Sequence, residues 1–266
     1  WAQCPHRWKT AYIDGKREFS DNIHTLFGTS MHEVIQAFLT VMYEDTAKAA
    51  EALPLEEMLR TRMKRNFEDI LKNNGGEMFC TEKDMVEFYM HGVEILKFIR
   101  KKRAQYFSKK GYELVGIEVP LNYDLPNNIK FIGYIDVVIK DTVRDVIKIY
   151  DIKTSTMGWN KWMKADKNKT DQLLLYKQFY SKQFNHPMDR IEVEYFIVKR
   201  KLYENLDFPQ RRVQKFAPAN GKPSINQVVK RLDEFMTECF NSNGEYNTEH
   251  TYSKVASKKN CRYCDF

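Results

Sequence analysis

Hydrophobic spacing predicts an α/β protein, and three observations carry that reading. Apolar residues recur every three or four positions over the first hundred residues, short β-rich runs begin at Tyr112, and helical spacing then alternates with strands to about residue 240. With 266 residues, 42% of them hydrophobic, the chain can bury a sizeable core. The longest apolar runs are strand-sized, well short of the roughly 18 residues a membrane helix needs, which argues against an integral membrane protein. The 43 Lys and Arg outnumber the 36 Asp and Glu, giving +7, and 14% of residues are aromatic, a balance that fits a polyanionic partner. The chain opens on Trp1 rather than Met, which reads as a fragment of a longer product.

In the helical part, Phe27, Met31, Val34, Ile35, Phe38, Leu39 and Met42 form one apolar stripe, and Val86, Tyr89, Val93, Leu96 and Ile99 form another. Pro54 suits the first turn of a helix between them, and Asn73-Asn74-Gly75-Gly76 ends it. The next helix is expected over 82–108, stopping before Gly111. Its Lys97, Arg100, Lys101, Lys102 and Arg103 read as a solvated face rather than a phosphate-binding stripe. Strands are expected over 114–121, 129–139 and 146–152 as an antiparallel meander, because turn-forming residues separate them. A helix carrying Leu173, Leu174, Tyr176, Phe179 and Tyr180 follows, then strands over 191–198 and 213–216 and a helix over 224–240. The polar stretch 241–247 reads as a linker. The expected organisation is a helical region over 1–110, a core over 111–240 and a cysteine-bearing tail over 241–266, all within one integrated domain. No G-x-x-x-x-G-K-[ST] loop is present, so nothing marks a nucleotide-driven motor.

Chemistry concentrates in Gly133-Tyr-Ile-Asp136 and Tyr150-Asp151-Ile152-Lys153. An aspartate on each of two neighbouring strands places two carboxylates about 5 Å apart. Such hard oxygen donors suit Mg²⁺ or Mn²⁺, with the Ile152 carbonyl as a further donor. Asp151 and Lys153 are two apart on a strand and so project from one face, where the ammonium can orient or activate a water. Alone, D-I-K is more simply a salt-bridged strand pair. Gly28-Thr-Ser-Met-His32 alone reads as a histidine hydrogen-bonded between helices, and Gln172 and Tyr176, one turn apart, as part of an ordinary amphipathic helix. Glu118 is either a further acidic group or a solvent-facing edge residue. Five cysteines with no repeating framework fit a reducing compartment. The C-R-Y-C spacing of Cys261 and Cys264 suits a zinc ribbon or an iron–sulfur cluster.

In this order, G-x-x-x-H, G-Y-I-D, D-I-K and Q-x-x-x-Y resemble the RecB-like branch of the PD-(D/E)XK nuclease superfamily. The early Cys-Pro and terminal C-x-x-C add similarity to its iron–sulfur members, among them the AddB nuclease domain and the nucleases of CRISPR adaptation. The resemblance implies a restriction-endonuclease-like core, a mixed central sheet flanked by helices, with an N-terminal helical region. It implies that His32, Asp136, Asp151 and the Ile152 carbonyl hold Mg²⁺ or Mn²⁺, that Lys153 assists the attacking water, and that Gln172 and Tyr176 organise substrate and site. The implied reaction is hydrolysis of DNA phosphodiester bonds by an exonuclease or end-processing enzyme of recombination, repair or phage DNA metabolism. Such an enzyme would be cytoplasmic or nucleoid-associated and would work beside a helicase or recombination partner. A nuclease-like module that holds DNA or a partner without cutting is the competing expectation.

In the same relatives one upstream and three C-terminal cysteines hold a 4Fe-4S cluster. Cys4, Cys261 and Cys264 fit three of those positions; a fourth lies beyond Phe266, or Cys239 or Cys80 substitutes, or no cluster assembles. Cys80 and Cys239 otherwise read as buried thiols. Between the third strand and the Gln172 helix lies Met157-Gly-Trp159-Asn-Lys161-Trp162-Met-Lys164, with Lys167 and Lys169 just beyond. It reads equally as a flank of the DNA path, with Trp159 or Trp162 stacked on unpaired bases and Lys161 and Lys164 meeting phosphates, or as a loop pinned by two buried tryptophans. Arg211 and Arg212, and Lys199, Arg200 and Lys201, are basic clusters of the same double meaning.

Overall fold

The computed structural model describes residues 1–16, 21–204, 207–261 and 264. Helix α1 spans Pro5–Tyr12. The apolar stripe found in the sequence becomes α2 (Ile23–Glu44), started by Asn22, whose side chain accepts from the backbone N–H groups of His24 and Thr25. After α3 (Ala47–Ala52), α4 (Leu55–Asn73) begins directly behind Pro54. Helix α5 (Glu82–Tyr106) opens on a reciprocal capping box between Thr81 and Asp84.

The strands follow as β1 (Tyr112–Asp124), β2 (Lys130–Asp141) and β3 (Val146–Ser155). Next come α6 (Lys161–Ala165), α7 (Lys167–Gln183), β4 (Ile191–Lys199) and β5 (Val213–Phe216), then α8 (Lys222–Cys239) and α9 (Lys258–Cys261). The sheet order is β1-β2-β3-β4-β5. The β2–β3 and β4–β5 pairs are antiparallel, whereas β3 and β4 are parallel, because α7 carries the chain back across the sheet between them. The fold is therefore α/β with a five-stranded mixed sheet flanked by helices, as expected. None of the described helices is long and apolar enough to cross a membrane.

The chain forms two compact units. The larger comprises 20–121 and 133–218. Its core joins Phe27, Met31, Ile35, Phe38 and Leu39 of α2 to Leu59, Ile95 and Leu96 of α4 and α5 and to Ile139, Tyr150, Ile152 and Phe196 of the strands. Each such side chain contributes roughly 1.5–3 kcal/mol when buried. At Gly92 of α5 the helices approach so closely that a Cβ would stand 2.5 Å from Leu59 Cδ2 and 3.1 Å from Phe27. Helix α2 packs on β3, and α7 on β3 and β4.

Part of the basic face of α5 is paired within this unit. Lys97 pairs with Glu56 and Glu94, Arg103 with Glu51, and Arg100 donates to the Leu53 carbonyl.

The smaller unit is assembled from 1–19, 122–132 and 219–266. Trp8 is buried among the rings of Phe235, Phe240, Tyr246 and Tyr252, beside the buried Cys239. Trp1 Nε1 donates to Glu238 at 2.9 Å, the His6 N–H to the Ser253 carbonyl at 3.1 Å, and Asn260 Nδ2 to the Gln3 carbonyl at 2.9 Å. Segment 241–247 is not the linker its polarity suggests. Asn241 Oδ1 accepts the backbone N–H groups of Asn243 and Glu245, and Phe240 bridges Tyr246, so the polar residues close a turn on themselves.

Candidate active site

The β2–β3 ladder runs from Asp141↔Val146 to Val137↔Tyr150, one step short of the two aspartates named by the sequence. Continuing that register sets Asp136 opposite Asp151. There a side chain takes over from the ladder: Asp136 Oδ2 accepts the Ile152 N–H at 2.6 Å. Both carboxylates are buried, Asp151 at 1% exposure and Asp136 at 9%. Burial pushes both pKa values up, with the mutual repulsion of the pair adding to it at Asp151 and the Lys153 charge opposing it at both.

Lys153, next but one on β3, sets its ammonium 2.8 Å from Asp151 Oδ2. The same Nζ donates to Gln172 Oε1 at 3.2 Å, and Gln172 Nε2 donates to the Tyr176 hydroxyl at 3.0 Å. The Q-x-x-x-Y pair of α7 thus forms a polar strut that ends on the lysine. Tyr176 is buried, and burial raises its pKa, so the phenol stays neutral.

From the opposite element, α2 delivers His32. Its Nδ1 stands 3.6 Å from Asp136 Oδ2, and the Ile152 carbonyl is within hydrogen-bonding reach of the ring. Burial, helped by the Lys153 charge, lowers the His32 pKa, which favours the neutral imidazole a metal requires. Gly28, one turn earlier, explains how the helix comes so near: a Cβ there would already be 3.3 Å from Thr154 Oγ1 of β3.

Sequence reasoning gave no role to Gln36, one turn beyond His32. Its Nε2 donates to the Asp136 carbonyl at 3.2 Å and to the Glu118 carboxylate. The signal that could have found it is the i+4 step from His32 on a face already assigned to chemistry.

The aromatic-basic segment resolves into two different tryptophans. Trp159 is buried against Tyr195 and Phe216, with Gln214 holding its backbone on both sides. Base stacking is therefore corrected for Trp159, because its ring faces are taken up by the core. Trp162 is 73% exposed on α6, with Lys161 Nζ 4.9 Å from its ring, while Lys164 lies over Phe216. Arg200 is also structural: it is buried on the Phe88 ring and paired with Glu87 at 2.9 Å, where Lys201 joins it.

Among the described residues no group of three or more His, Cys, Asp and Glu is gathered tightly enough to be a formed metal cluster. The donor set at β2 and β3 nonetheless suits a hard divalent cation. It offers two buried carboxylates, one of them with an oxygen answered by an ion pair rather than a well-formed hydrogen bond, and a neutral imidazole. The described thiols lie in different surroundings. Cys239 is fully buried in the aromatic core of its unit, its pKa pushed up to about 12 by burial, and Cys80 is only half-buried. Cys4 and Cys264 are half-buried and Cys261 is exposed.

The profile of the PD-(D/E)XK nuclease superfamily matches residues 1–266. No curated relative matches the chain. Among solved structures it is similar to a provisionally named exonuclease from Eubacterium rectale, with 13% identity and a TM-score of 0.52, over 98% of this chain and 79% of that one. At that identity the likeness is one of fold. With its two aspartates, lysine and mixed sheet in the arrangement described, the chain belongs to the PD-(D/E)XK nuclease superfamily.

Proposed function

We propose that the protein is a Mg²⁺- or Mn²⁺-dependent deoxyribonuclease that hydrolyses phosphodiester bonds at DNA ends. The observation that carries this reading is the buried Asp136–Asp151 pair on adjacent strands with the Lys153 ammonium 2.8 Å from one of them. Asp136, Asp151, His32 and the Ile152 carbonyl would hold the cation. When bound, it supplies charge neutralisation at the phosphate and lowers the pKa of the attacking water.

The chain's own part follows from the geometry. Asp151 and Gln172 hold the Lys153 ammonium between them, so that it meets negative charge growing on the phosphate and orients the incoming water. Tyr176 braces Gln172 and with it the lysine. Trp162 and Lys161, exposed beyond the end of β3, would receive an unpaired base and its phosphate. Action at DNA ends accords with the exonuclease name of the E. rectale protein, and the same reading adds a helicase or recombination partner. No step is assigned to an iron–sulfur cluster.

The test is cleavage of end-labelled linear and closed circular DNA, single- and double-stranded, with Mg²⁺ or Mn²⁺ against EDTA. Metal-dependent loss of linear DNA is expected, and Lys153→Ala should abolish it while leaving the circular dichroism spectrum unchanged. Equal cleavage by Lys153→Ala would refute the assignment.

A further inference from the structure

Gln36 is 7% exposed on a helix whose other buried positions are mostly apolar, and a buried amide is costly unless it is hydrogen-bonded. Both bonds of its Nε2 end at the acidic centre, one on the Asp136 carbonyl and one on Glu118. Glu118 lies where β1 changes phase. The more buried positions run Tyr112, Leu114 and Gly116, then resume at Ile117, Val119 and Leu121, one residue out of step. Glu118 itself has φ +50, in the left-handed region that side-chain-bearing residues rarely adopt. A break of this kind in a strand re-aims a side chain, and backbone strain of about 1–3 kcal/mol persists only where surrounding contacts hold it. Here the contact is the Gln36 amide. The Glu118 charge acts on both Asp136 and His32.

The charge count gives this arrangement a purpose. With both carboxylates ionised, Asp136, Asp151 and Lys153 sum to about −1, and Glu118 brings the centre to about −2, the complement of one divalent cation. We infer that Gln36 is a positioning residue for cation binding, which holds the strained Glu118 toward Asp136 and His32 so that the centre matches a divalent charge. Gln36 carries no charge; its bond to the Asp136 carbonyl anchors the amide, and its bond to Glu118 carries the effect on the cation. This inference rests on the metal-dependent reading above.

The experiment is Mn²⁺ titration calorimetry on the full 266-residue chain as wild type, Gln36→Met, Glu118→Gln and the double variant. Each single change should weaken binding about 10- to 100-fold, as loss of groups that support a ligand shell does. The double variant should be no weaker than the weaker single. Gln36→Met keeps the side-chain volume; Gln36→Asn, which keeps the amide but falls short of Glu118, serves if thermal unfolding shows the Met variant is not folded. Unchanged affinity in the folded Gln36 variant, unchanged affinity in Glu118→Gln, or losses that multiply in the double variant would each overturn the inference. Asp151→Asn separates the two readings: if it binds Mn²⁺ as wild type does, the metal-dependent reading itself fails.

Discussion

Helix α2 meets its two neighbours by opposite physics. Toward α4 and α5 it presents Phe27, Met31, Phe38 and Leu39, all 2% exposed or less, against Leu59, Leu96 and the bare backbone of Gly92. Toward Glu118, Asp136 and Thr154 of the strands it presents Gly28, His32 and Gln36, and the groups it meets there are charged or hydrogen-bonding. The apolar contact stabilises the fold. The polar one holds carboxylates whose burial opposes their ionisation, so it costs stability at neutral pH and concentrates reactivity there.

The largest expected effect breaks the polar side alone. Asp151→Asn should lower cleavage by about three orders of magnitude or more, roughly 4 kcal/mol in the barrier, without loss of folded structure in circular dichroism. Gly92→Ala strikes the apolar side. Crowding Leu59, Phe27 and Met31 should lower the free energy of unfolding in urea by about 1–3 kcal/mol, with cleavage per folded molecule unchanged at a permissive temperature.

Asp136→Asn should do the reverse of Gly92→Ala, stabilising the metal-free chain by roughly 1–2 kcal/mol at pH 8. The sign follows from linkage. A carboxyl whose folded pKa is raised binds more protons folded than unfolded, so its contribution is full below the unfolded pKa and lost as pH rises through the folded one. The advantage of the asparagine should therefore grow from pH 4 to pH 8, and thermal melts in EDTA across that range would check it. The smallest stability change is expected of Gly28→Ala, where a helix-propensity gain of about 1 kcal/mol is offset by crowding of Thr154. Cleavage should nonetheless fall severalfold, because His32 rides on the same turn; a fall in stability without one in cleavage would erase the distinction between the two faces.

Much of this contrast could be read from the sequence. The stripe of α2 reports burial through its spacing, the strand over 213–216 has the same limits as β5, and the aspartates, Lys153, Gln172, Tyr176 and His32 lie at one centre, their roles being the proposal made above. Gln36 and Glu118 were harder, because their bond spans 82 positions and depends on a local break in β1 that no periodicity announces. Trp159 and Trp162 differ by burial although they share a composition, since one lies ahead of α6 under Gln214 and the other on an outer turn of that helix. The polar 241–247 segment looked open because Asn, Ser and Gly mark loops, yet the same side chains can satisfy their own backbone.

The smaller unit has a consequence for the order in which the molecule is made. Its hydrogen bonds from Trp1 to Glu238 and from Asn260 to Gln3 join residues 237 and 257 positions apart. Contacts of such separation form slowly, because nearly the whole chain must be gathered before any of them rewards the loss of freedom. On the ribosome the segment around Trp8 must wait until residues 235–252 are made before its partners exist. The aromatic cluster around Trp8 is thus expected to close last, and its fluorescence to report the final phase of refolding.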